Sequence, residues 1–107
     1  MRRQLSRALE LGADGIVPSV GNYLPKKYQD LFVAGINGDK DTANALQQET
    51  IEIGKINTDG LTLGESLAGL KVIMQMVGLC DPYMLPPLTT LSNDVVKRIQ
   101  AEAKKIL

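Results

Sequence analysis

The chain has no histidine, no tryptophan, one cysteine and one phenylalanine among its 107 residues. Without histidine it cannot build a Ser-His-Asp or Cys-His nucleophile system from its own side chains, nor an imidazole metal site. The single thiol, Cys80, excludes an internal disulfide and an all-protein thiolate zinc site. With so few aromatic rings, any core must be aliphatic. A charge of one sign is also missing: twelve Lys and Arg balance twelve Asp and Glu. No net field therefore draws the chain to nucleic acid or to an anionic membrane. No apolar run is long enough to span a bilayer. The opening residues, Met1-Arg2-Arg3-Gln4, lead into an amphipathic pattern rather than the apolar core of a signal peptide. The expectation is a cytoplasmic protein with no nucleic-acid and no membrane partner.

What is present is 44% apolar residues, enough for one core, and a length that fits one domain or less. Leu5, Ala8 and Leu9 followed by Gly12 read as the end of a helix over 1–11. Residues 14–20 (Asp-Gly-Ile-Val-Pro-Ser-Val) read as one short strand, apolar enough to be covered on both faces. A lone strand leaves its backbone groups unpaired, so it needs neighbours from elsewhere.

Pro25 suits the first turn of the next helix, with Tyr28, Leu31, Phe32 and Gly35 on one face and Asn37-Gly38-Asp39 as its stop. A third helix is predicted over 41–56, capped by Asp41 or Thr42, with Ala43, Leu46, Thr50, Ile53 and Ile56 inward. Thr62 starts a fourth. Its Leu63, Leu67, Leu70, Met74 and Val77 form one helical stripe, broadened by Ala68, Val72 and Ile73, so this helix is expected to be central. Gly64 and Gly69 weaken it but permit close packing. Residues 79–91 are irregular, proline-bearing and apolar, and are expected to lie against the body. Ser92 caps the last helix, whose Val95, Ile99, Ala103 and Ile106 face inward. Its basic residues, Lys97, Arg98, Lys104 and Lys105, read as a solvated face.

The ordered series Leu11 to Asn22, then Pro25, Leu31, Gly38-Asp39, Ala43 and Leu46-Gln47, then Ser66 to Lys71, Gly78-Leu79 and Leu85-Pro86-Pro87-Leu88, resembles the C-terminal third of the dihydrodipicolinate synthase / N-acetylneuraminate lyase family. The resemblance implies a mostly α chain: the C-terminal fragment of a (β/α)8 TIM barrel, with its last strand and helix in residues 1–38, followed by a three-helix C-terminal segment in 39–107. Full-length members are Schiff-base class I aldolases acting on pyruvate or a 2-keto acid, with no cofactor. Their imine-forming lysine and proton-shuttling tyrosine would precede this region, so the chain would hold no catalytic residue and be inactive alone. Barrel sites sit at the C-terminal ends of the strands. Val17, Pro18 and Ser19 would therefore line the substrate rim in a complete barrel. Pro18 departs from the small residue usual there, and Met1-Arg2-Arg3 departs from the usual Gly-Asp-rich loop. Such a chain is expected to pair with a complementary barrel fragment or to form a homo-oligomer, with the unpaired strand as an interaction element in the alternative reading.

Other candidates carry less. Lys71 lies within the apolar stripe, where a desolvated lysine could form an imine. The plainer expectation is a packed stem with its ammonium reaching a carboxylate or a helix end. Asn22 is expected to tie down its own loop. Cys80, beside Asp81, is expected to be an inert thiol. Glu49, Glu52 and Glu65 form no acid pair, and Met74, Met76 and Met84 read as core filler.

Overall fold

The computed structural model describes residues 5–107. It is mostly helical and packs as two units, Met1–Ile53 and Gly54–Leu107. The part of the first predicted helix at residues 1–4 lies outside the described residues.

In the first unit, α1 (Leu5–Glu10) ends at Gly12, whose φ of +89° lets the Ala13 amide reach back to the Ala8 carbonyl at 3.0 Å. α2 (Pro25–Ile36) opens on its proline, and α3 (Lys40–Gly54) follows after a short turn. Leu5 and Leu31 are fully buried, and Tyr28, Ala34, Ala43 and Ile53 are buried as well. Phe32 and Gly35 are only half-buried. The cap of α3 differs from the prediction. Asp39, not Asp41 or Thr42, accepts a hydrogen bond from the Thr42 amide through Oδ1 at 3.3 Å.

The α3 face also buries two polar residues, Gln47 and Thr50. Gln47 Oε1 accepts from the Ser6 amide at 3.2 Å, which ties α3 to α1. Gln47 Nε2 donates to Thr50 Oγ1 at 3.3 Å, and Thr50 Oγ1 donates to the Gln47 carbonyl at 2.9 Å. A buried polar group is tolerated when its bonds are made, and here they are.

The predicted strand does not form. Among the described residues there is no β-strand: residues 13–18 have no regular structure, and Val20–Asn22 is a 3-10 turn. A strand exists by the ladder it makes with a neighbour, and no described residue supplies one. Burial on both faces fails with it. Val17 is fully exposed, at 101%, and Ile16 is half-buried.

The second unit opens with a 3-10 turn, Lys55–Asn57, and contains α4 (Leu63–Met76) and α5 (Asn93–Lys104). α4 begins in a capping box. Thr62 Oγ1 accepts from the Glu65 amide at 3.3 Å, and Glu65 Oε1 accepts from the Thr62 amide at 3.0 Å. The Glu65 carboxyl is held below its ordinary value, by the bond from the Thr62 amide foremost and by the Thr62 side chain second. Asp39 is lowered likewise by its bonds to Thr42, that of the side chain foremost.

The buried face of α4 is only part of the predicted one: Leu70 and the flanking Ala68, Val72 and Ile73 are buried, with Gly69 between them, whereas Leu63 is 78% exposed and Leu67 and Val77 are partly so. Small residues decide this. A Cβ on Gly69 would lie 3.0 Å from Ile99 Cδ1 and 3.3 Å from Asn57 Cβ, so α5 and the 3-10 turn approach α4 where it has no side chain. Ile99 and Ala103 of α5 are fully buried, with Val95 and Ile106 half-buried. Ser92 occupies the N-cap of α5 with extended backbone, but its hydroxyl makes no capping bond.

Residues 79–91 are irregular, as predicted, but only partly covered. Leu88 sits over Gly64, while Tyr83 and Leu85 are largely exposed. Met74, Met76 and Met84, expected in the core, are half-buried.

Candidate functional site

The candidate site is the connection from α1 to α2, where Val17, Pro18 and Ser19 follow one another. Its far end is fixed by local bonds. The Ser19 carbonyl accepts from both the side-chain amide of Asn22, at 2.9 Å, and its backbone amide, at 3.1 Å. The Leu24 amide closes on the Val20 carbonyl at 2.9 Å, and Val20 is buried. Asn22 thus ties down its loop, as the sequence led one to expect. Pro18 packs on Gly21, where an added Cβ would lie 2.9 Å from Pro18 Cγ.

The near end is open. Val17 projects wholly into solvent, while Pro18 and Ser19 are half-buried.

The other candidates are engaged elsewhere in local contacts. Lys71 is half-buried, and its Nζ donates to the Tyr83 carbonyl at 2.6 Å, so its partner is a main-chain oxygen rather than the carboxylate or helix end expected. Cys80 is a half-buried free thiol. Glu49 pairs with Lys27, and Glu65 belongs to the capping box. No described helix is long and apolar enough to cross a membrane. No group of three or more His, Cys, Asp or Glu able to hold a metal ion occurs among the described residues.

A cavity of about 200 Å³ in the first unit is lined by Ser6, Glu10, Gly35, Gly38, Lys40 and Ala43. It was not legible in the sequence, because its lining comes from three helices with no shared motif. It does not include residues 17–19.

Comparison with known proteins gives this loop a context. The chain is 33% identical over 99 residues to a 4-hydroxy-tetrahydrodipicolinate synthase of Sulfurovum sp., covering 91% of this chain and 32% of that one. It is 28% identical over 102 residues to a probable 5-dehydro-4-deoxyglucarate dehydratase of Oceanobacillus iheyensis, covering 92% of this chain and 32% of that one. The solved dihydrodipicolinate synthase of Bacteroides thetaiotaomicron superposes with a TM-score of 0.87 at 27% identity, over all of this chain and 36% of that one. The chain thus spans about a third of the length of the relatives it matches. The model of the dihydrodipicolinate synthetase family matches residues 3–106, and the chain belongs to that family.

Proposed function

We propose that this chain is the C-terminal part of a pyruvate-dependent lyase or synthase. In a complete (β/α)8 barrel, residues 14–20 would be the last strand and Val17, Pro18 and Ser19 would line the substrate rim. The observation that carries the reading is the family match over residues 3–106 by a chain one-third the length of its relatives. The exposure of Val17 supports it, since a residue of a barrel strand has its cover in the strands on either side.

The role of the loop follows from its chemistry. Ser19 offers a hydroxyl able to donate to or accept from a substrate hydroxyl. Pro18 offers a rigid apolar surface, and its fixed φ would set the direction of that hydroxyl. Neither can form an imine. The carbon–carbon bond chemistry would need a lysine from the preceding barrel strands, so the chain alone is inactive. Lys71 does not substitute, because its amine is engaged by the Tyr83 carbonyl on the side of α4.

A second reading is favoured by the same exposed segment. Residues 13–18 have no regular structure and could add as a strand to another sheet edge, which would make the chain a non-catalytic interaction module.

The test is the intact mass after incubation with pyruvate and borohydride. The expected result is an unmodified chain. A stoichiometric adduct, on Lys71 or any other lysine, would refute the incomplete-enzyme reading. When the chain replaces the matched third of the Bacteroides thetaiotaomicron synthase, an adduct should appear. Ser19→Ala should then raise KM about tenfold, the loss of roughly one hydrogen bond. An unchanged KM would remove Ser19 from the rim.

A further inference from the structure

The turn that ends α2 brings together two groups able to react with each other. Asn37 is the C-cap of that helix, exposed, with φ −77° and ψ −2°. Its side-chain amide makes no hydrogen bond among the described residues. Gly38 follows, also exposed, and a Cβ added there would meet nothing within 4 Å, so water reaches both residues. The Gly38 amide donates to the Gly35 carbonyl at 3.3 Å, longer than an ordinary N–H···O bond. A weakly held amide with no side chain beside it thus follows a free carboxamide.

We propose that Asn37 is a site of spontaneous covalent modification, converted to aspartate and isoaspartate through a succinimide formed with Gly38. The Gly38 nitrogen gives up its proton and attacks Asn37 Cγ. The new C–N bond closes the ring, and the side-chain nitrogen takes up a proton and leaves as ammonia. Water then opens the ring at either of its two carbonyls. Attack requires Asn37 to leave its helical ψ, and a helix end is the part that frays first.

The other asparagines are protected. The Asn22 side chain is held by the Ser19 carbonyl at 2.9 Å and is followed by the bulky Tyr23. Asn44 lies inside α3, whose hydrogen-bond ladder holds the amide that follows it. Asn57 is 2% exposed, is bonded to the Ser66 carbonyl and precedes the β-branched Thr58. Asn93 precedes Asp94, which carries a side chain at the position where Gly38 has none. The change at Asn37 has a structural consequence. Either product sets a new carboxylate at the carbonyl end of α2, where the helix dipole disfavours it. Isoaspartate also lengthens the main chain ahead of the Asp39 amide, which donates to the Ala34 carbonyl at 2.9 Å. The turn between α2 and α3 therefore loosens as the protein ages. This modification does not depend on the barrel reading.

Incubation of the purified chain in warm neutral buffer, followed by tryptic peptide mapping with mass spectrometry, tests the assignment. Cleavage after Lys27, Lys40, Lys55 and Lys71 places Asn22, Asn37, Asn44, Asn57 and Asn93 in separate peptides. The Asn37 peptide should be the first to gain the mass of an acid in place of an amide, and it should contain isoaspartate. Its rate should exceed that of the Asn22 peptide at least about fivefold, the weight of the one side-chain hydrogen bond that Asn22 must break. Asn37→Gln, whose longer side chain closes a ring poorly, should abolish the change in that peptide, and circular dichroism confirms that the variant is folded. An Asn37 peptide still intact after another asparagine has reacted, or a product free of isoaspartate, would overturn the proposal.

Discussion

Gly69→Ala sets two opposing effects against each other. Alanine is a better helix former than glycine by about 1 kcal/mol in a helix interior. The new methyl, however, would lie 3.0 Å from Ile99 Cδ1, 3.3 Å from Asn57 Cβ and 3.7 Å from Asn57 Cα. Ile99 is fully buried, so its Cδ1 has no solvent to turn into. Asn57 is 2% exposed and is held by its Nδ2 bond to the Ser66 carbonyl at 3.1 Å. Overpacking of this kind costs about 1–3 kcal/mol, so the net effect is a loss of about 1 kcal/mol. Gly64→Ala provides the control on the same helix. Its methyl would meet one atom, Leu88 Cδ2 at 3.2 Å, the end of a side chain that is 37% exposed and free to move. That variant should gain up to about 1 kcal/mol. Ile99→Val, which removes Cδ1, should cost about 0.5–1.5 kcal/mol in the native chain and clearly less when combined with Gly69→Ala. Urea unfolding followed by circular dichroism reads all four corners of the cycle. If Gly69→Ala raises the midpoint as Gly64→Ala does, or if Ile99→Val gives no relief, close approach is not what sets the buried face of α4.

Three further outcomes are expected. Gln47→Leu removes the acceptor of the Ser6 amide from a buried position and should cost about 1–3 kcal/mol, whereas Gln47→Glu keeps an oxygen there; equal urea midpoints for the two would refute the clamp. Thr62→Ala breaks the capping box and should cost about 1 kcal/mol. Because the folded-state Glu65 carboxyl is held low, its stabilisation is full above the unfolded-state value and is lost as pH falls through the folded value; acid titration of Glu65→Gln should therefore show a shallower loss, and an unchanged acid limb would refute the linkage. Lys71→Met should leave stability within about 1 kcal/mol, as for one solvent-accessible hydrogen bond, and a large loss in thermal unfolding would show a structural role beyond the Tyr83 contact.

Helix positions were largely legible in the sequence because their punctuation is local. Pro25 opens α2, Gly12 closes α1 and Thr62 opens α4, each through a backbone preference that needs no distant partner. Two things were not legible. The orientation of α4 depends on which side another helix approaches, and Gly69 admits Ile99 more closely than the leucine stripe could. The strand depends on neighbours, and its apolar residues Ile16 and Val17 record a need for cover that no described residue meets. Of the candidate site, Asn22 was readable from its turn chemistry. Val17, Pro18 and Ser19 carry no motif of their own, so only the family resemblance pointed to them. The burial of Gln47 carried no signal, since a glutamine on a helix face usually points to water.

The bond from the Ser6 amide to Gln47 joins residues 41 apart in sequence. An amide proton held by a hydrogen bond exchanges with water only when that bond opens. At Ser6 exchange requires the Gln47 side chain to let go. The deuterium uptake of this one amide therefore reports the opening of α3 from α1, as a built-in gauge of how often the first unit breathes.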